Sequence, residues 1–191
     1  MTFKKLLLAT SKFCIEVVVD VPLSIFYTKK YIHHGADFLF AAVELWLIIG
    51  QRRELIASSA NPGNFLEDLK DIVKQVESPP SVPGLDAIIT HGGWAEWMVS
   101  YWDRVQADLT LPEDENFYER VAGLSAMDSK DGYLAIYRYG DSPIIEVSTR
   151  SDQLSEQLKA YDEFSPKSLL ANLNQVRDDI VQIISDGMRN E

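Results

Sequence analysis

The chain has 191 residues, 46% hydrophobic and 25% charged, with a formal net charge of −11. That balance describes a globular chain able to bury a sizeable core, as one large domain or two small lobes, and excludes disordered and fibrous classes. Asp and Glu outnumber Lys and Arg by 29 to 18, which disfavours direct nucleic-acid binding and attraction to an anionic membrane, since both rest on basic patches.

The charge is unevenly placed. Residues 1–95 carry ten acidic and nine basic side chains, whereas residues 96–191 carry nineteen and nine, so the second half alone holds about −10. Such a field draws in and holds a basic partner. The single cysteine, Cys14, excludes an internal disulfide and fits a reducing compartment. At the N-terminus two lysines precede a leucine run, but Leu6 to Ala9 is too short for a secretion signal. The longest apolar run, Phe38 to Ile49, spans twelve residues, against about twenty for a membrane-crossing helix. The expectation is a cytoplasmic protein.

In chain order, KFCIEVVVDV (12–21) alternates apolar and polar positions and predicts a half-buried strand. Pro22 ends it, and LSIFYT to Thr28 reads as a second strand. The long apolar segment from Gly35 to Ser59 predicts a central buried helix, with a strand through LWLII and a turn near Gly50 as the alternative. Asn64 and Glu67 form a capping-box start for a helix carrying Phe65, Leu66, Leu69, Ile72, Val73 and Val76. ESPPSVPG (77–84) stops that helix, and LDAII after it reads as a short strand. One domain over 1–191 is expected; the other division is two lobes, 1–77 and 85–191, joined by the connector 78–84.

Three of the four tryptophans follow. Trp94, Trp97, Met98, Tyr101, Trp102, Val105 and Leu109 share one stripe of a helix, which accounts for the cluster as a core-facing surface whose edge is open to a partner. Pro112 opens a helix through PEDENFYERVAGL with acids in its first turn. DGYLAIYRYGDSPIIEVST predicts a hairpin near 132–149 turning at 139–142. Ser151 caps a helix with Leu154, Leu158 and Tyr161, and Ser165 with Pro166 starts a last one that Gly187 ends. No sequence repeat is evident. The expected class is α+β: a mostly antiparallel sheet covered by amphipathic helices, two of them C-terminal.

Motifs for catalysis are missing. HGG (91–93) before a helix suggests a glycine-rich anion turn or simply a helix entry capped by Gly93, but no dinucleotide fingerprint or P-loop is present. GLSAM lacks the final glycine of a nucleophile elbow, and His33 with Asp37 is the only local pair resembling a metal site. No cofactor and no metal are expected. What remains is an acidic band: Asp103, Asp108, Glu113, Asp114, Glu115 and Glu119 gather over seventeen residues against one base, Arg104. With Trp102 as an apolar anchor, these residues form the candidate partner-binding set.

These features predict a binding protein that neutralises or regulates a basic protein, most concretely an immunity-type inhibitor of a cationic toxin such as a nuclease. Two alternatives stand beside it: a small hydrolase using His91 and dispersed acids, and an assembly or adaptor subunit that self-associates through the apolar helix 36–58.

Overall fold

The computed structural model describes residues 2–35, 38–58, 65–150 and 157–190. Among these described residues, eight strands form two antiparallel sheets and five helices cover them, the α+β class that the sequence predicts. The first sheet has the order β1 (Thr2–Ala9), β2 (Cys14–Asp20), β3 (Val43–Ile49), β4 (Arg52–Ser58). Its second counterpart has the order β5 (Ser125–Asp128), β6 (Gly132–Tyr139), β7 (Ser142–Thr149), β8 (Lys159–Glu163). A helix follows each: α2 (Phe65–Glu77) after the first and α5 (Pro166–Arg189) after the second. The same four-stranded meander thus occurs twice, although the sequence shows no repeat.

Alternation along β2 and β3 puts Ile15, Val17 and Val19 beside Leu47, Leu45 and Val43 on the core face. The opposite face is polar: Arg53 bonds Glu16 at 2.6 Å and lies 3.9 Å over the Trp46 ring. One face dry and one wet is the usual economy of an antiparallel sheet.

Two segments depart from the sequence expectation. The LSIFYT stretch is not a strand but part of α1 (Val21–His33), because Asp20 accepts from the Leu23 N–H at 2.9 Å and Pro22 sits in the first turn. The buried positions of α1, Val21, Ser24, Ile25 and Thr28, recur at helical spacing. Conversely, the helix predicted from Gly35 to Ser59 is replaced over 43–58 by the β3–β4 hairpin. Gly50, at φ +59°, makes the turn, and the alternation Val43, Leu45, Leu47 is buried against one face. β-branched and aromatic residues at period two outweigh the local helix propensity of Ala, Leu and Glu.

Smaller corrections follow the same logic. Leu85–Ala87 is a 3₁₀ turn rather than a strand. Ser151 and Leu154 of the expected helix lie outside the described residues, as does Asn64 of the expected capping box; Leu158 precedes β8, and Tyr161 lies within it, not on a helix. α5 runs through Gly187 to Arg189, and Gly187 packs against Ile25 of α1. No helix among the described residues is long and apolar enough to cross a membrane.

One buried cluster draws on both sheets and on α1, α2 and α5: it includes Val17, Leu45, Ile56, Leu69, Ile136, Val147, Leu173 and Ile180. The sheets meet at Gly132, where a Cβ would lie 2.5 Å from Ser148 O and 3.1 Å from Ile56 Cα. Ser129 Oγ donates to Ile56 O at 2.7 Å beside it. Because the crowding atoms are backbone, Gly132→Ala is expected to cost about 2 kcal/mol or more in chemical denaturation; a loss below about 0.5 kcal/mol, the range of neutral surface changes, would show that the junction yields.

Candidate functional site

The second sheet is buried on both faces. Leu134, Ile136, Ile145 and Val147 face the shared core, while Tyr133, Ala135, Tyr137 and Ile144 face a second cluster formed with α3 (Trp94–Gln106) and α4 (Pro112–Ala122). In this register Glu146, opposite Ala135, lies on the α3 side and is 1% exposed. Its carboxylate accepts from the Ala95 N–H at 2.8 Å, the Trp94 N–H at 3.1 Å and the Tyr137 hydroxyl at 2.7 Å.

Glu146 therefore supplies from a neighbouring strand the cap that Gly93, the N-cap residue, has no side chain to provide. The positive end of the α3 dipole further favours the negative charge. The HGG turn is a helix entry fitted to this contact, and its anion position is filled by the protein itself. Gly92, at φ +73°, leaves no room for a side chain, since a Cβ would fall 2.1 Å from the Tyr161 ring. His91 stacks on Tyr139 and packs at a tilt against Tyr161, each centroid 5.1 Å away.

Burial pushes the Glu146 carboxyl above the ordinary carboxylate range, opposed by the three donors, which favour the ionised form. Burial also pushes the Tyr137 phenol up, and the adjacent Glu146 adds to it.

α3 carries the tryptophan stripe, and its depth is graded. Trp94, Met98 and Tyr101 are buried, and the Trp94 indole donates to Val121 O of α4 at 3.0 Å. Trp97 packs edge-on to Phe117 at 5.0 Å, and Tyr101 stacks on Tyr118 at 4.5 Å. The stripe then leaves the core: Trp102 is 40% exposed, Val105 36% and Leu109 66%, joined by Leu111 at 60%. Asp108 ends α3 in the left-handed region at φ 56°, and the Leu109 N–H returns to Arg104 O at 2.9 Å.

The predicted acidic residues divide into two roles. Asp103, Asp108, Glu113, Glu115 and Glu119 are exposed on α3, the connecting loop and α4. Asp114 is committed to structure: it receives Arg104 in a bidentate pair, with both bonds at 3.0 Å, and accepts from the Leu111 N–H at 3.2 Å. The Arg104 guanidinium holds the Asp114 carboxyl below the ordinary range. The one base of the band is thus consumed in joining α3 to α4, and the remaining carboxylates are exposed on the same two helices and connecting loop as Trp102, Val105, Leu109 and Leu111.

Beside this face, Trp102 and Asp103 enter an open cleft of about 770 Å³ with Asp128, Lys130, Tyr133 and Arg150. Arg150 pairs with Asp128 and lies 4.2 Å over the Tyr133 ring.

Compared with protein-family models, curated proteins and solved structures, the chain matches none. Among the described residues no three His, Cys, Asp or Glu side chains are grouped to hold a metal ion; Asp37, the partner suggested for His33, lies outside them.

Sequence reasoning missed Glu146, the Arg104–Asp114 lock and the exposure of Leu109 and Leu111. The first is visible only as one acid within the otherwise apolar and hydroxyl-bearing strand PIIEVST. The last could have been found from their position in a short connection between two helices, where no core covers them.

Removing Glu146 leaves two backbone donors and a phenol without an acceptor. Glu146→Ala is expected to lose about 3 kcal/mol in urea unfolding, and Glu146→Gln less. Because the folded protein holds the Glu146 proton more tightly than the unfolded chain, its contribution is present at low pH and declines as pH rises through the raised value. Glu146→Gln should flatten that part of the stability profile; an unchanged profile would remove Glu146 as its source.

Proposed function

We propose that this chain is an acidic binding protein that docks a basic protein partner on the α3–α4 face, most concretely an immunity-type inhibitor covering the working surface of a cationic toxin such as a nuclease. One observation carries the reading: four large apolar side chains, Trp102, Val105, Leu109 and Leu111, stand exposed among five exposed carboxylates whose only intervening base is already paired. Apolar anchors inside a charged rim combine slow release with fast, steered association. Asp114 holds the face together and is not among the groups offered to the partner.

The two alternatives lack comparable support. His91 is engaged in ring contacts with Tyr139 and Tyr161, which does not set it over a substrate with a carboxylate beside it. The adaptor alternative was built on an apolar helix at 36–58, whereas among the described residues of that segment no helix is formed and β3 and β4 occupy 43–49 and 52–58.

Affinity capture at low salt, with elution at high salt, tests the proposal when wild type is run beside Glu113→Lys/Glu115→Lys and beside Trp102→Ala. A basic protein retained at one-to-one stoichiometry is expected, weakened about tenfold or more by either variant, as loss of an interfacial anchor or of steering charge implies. Equal retention by all three proteins would move the contact elsewhere.

A further inference from the structure

The open cleft of about 770 Å³ beside α3 is large enough to take a side chain from outside, and its two walls carry the same pair of chemistries. On the sheet side a guanidinium is already held: Arg150 lies 4.2 Å over the Tyr133 ring and pairs with the Asp128 carboxylate. Tyr133 is 5% exposed and meets Trp94 edge-on at 5.8 Å, so its ring is fixed. An aromatic face with a carboxylate beside it suits a planar, delocalised cation.

On the opposite wall α3 presents Trp102 and Asp103, which share one helix face with Val99 and Gln106. Trp102 is 40% exposed, and Tyr101 and Tyr118 meet its ring edge to face at 5.4 and 5.5 Å. Among the described residues neither its indole N–H nor the exposed Asp103 carboxylate has a hydrogen-bond or ion-pair partner. The α3 wall thus repeats the ring and the acid of the sheet wall without an arginine of its own.

Lys130 is the remaining charged group of the cleft, exposed and likewise without a partner among the described residues. With Arg150 it repels a further cation from the sheet wall. The excess of acids in residues 96–191 draws cations toward the cleft as a whole, which leaves the α3 wall as the place for one.

We propose that this cleft receives an arginine side chain of the basic partner, its guanidinium stacked on the Trp102 ring and paired with Asp103. The inference rests on the reading of the α3–α4 face as the docking surface for such a partner, and it names the residue type that enters. Trp102 belongs to both the apolar face and the cleft wall, which makes them one continuous surface. Lysine fits less well, since its compact ammonium matches the carboxylate but does not stack.

Titration with the blocked peptide acetyl-Gly-Arg-Gly-amide, followed by the NMR resonance of the Trp102 indole N–H, tests this; the resonance is assigned by its loss in Trp102→Phe. The same peptide with lysine, or with citrulline as the uncharged isostere of arginine, is run beside it. The arginine peptide should shift the resonance saturably, the lysine peptide should bind about threefold or more weakly, and the citrulline peptide should leave it in place. Asp103→Asn should weaken arginine binding about threefold or more, and Lys130→Ala should strengthen it. Both residues are exposed, and an otherwise unchanged spectrum confirms folding.

No saturable shift, equal binding of the citrulline peptide, or arginine binding unchanged in Asp103→Asn would overturn the inference. So would a glutamate peptide that binds wild type and is lost in Lys130→Ala, since the cleft would then take an anion. Low-salt capture separates this result from the proposed function. A basic protein retained equally by wild type and Asp103→Asn keeps the docking face and overturns the cleft's part in it, whereas arginine binding with no basic protein retained supports the guanidinium site and counts against the partner.

Discussion

A single buried carboxyl group, that of Glu146, holds the start of α3 in place. Withdrawing Glu146 from water is costly, and a buried carboxylate survives only if its oxygens are well supplied with donors. Here the Trp94 and Ala95 N–H groups and the Tyr137 hydroxyl provide three, and the α3 dipole adds a favourable field. The arrangement satisfies strand and helix together: an acid that is unfavourable on a buried sheet face occupies the position where the helix start lacks acceptors. The glycines at 92 and 93 lie just before this contact, where Tyr161 and Thr90 crowd any added side chain.

Everything exposed on the α3–α4 layer inherits its orientation from that contact. The Trp94 indole ties α3 to Val121, Tyr101 stacks on Tyr118, and Arg104 clamps Asp114. Acids in the first turn of α4 also suit its dipole, so Glu113 and Glu115 are accommodated locally as well as being available to a partner. The face is acidic because Arg104, the one base between Asp103 and Glu119, is paired with Asp114, and apolar because the α3 stripe is longer than the core that it covers.

Legibility in the sequence followed periodicity. β2, the 132–149 hairpin, α2, α3, α4 and the last helix were readable because their apolar spacing was unmistakable for one element type. The segment 35–58 was not, because a nearly continuous apolar run carries both periods, and only its pairing with β2 decides between them. α1 failed for another reason: Ile25, Phe26, Tyr27 and Thr28 favour strands individually, and the Asp20 cap with Pro22 outweighed them. The acidic band was legible as composition. Its division into five exposed carboxylates and one structural one was not, since Arg104 and Asp114 are ten residues apart and meet only through the turn between two helices.

The central claim is that the exposed surface from Trp102 to Glu119 is where a basic protein binds. Amide hydrogen exchange of the chain, free and in complex with the basic protein recovered by low-salt capture, addresses it most directly. The account predicts slowed exchange in the Asp103–Leu111 segment and the first turn of α4, with β1–β4 unchanged. Protection confined to other elements, with that segment exchanging as in the free protein, would contradict it.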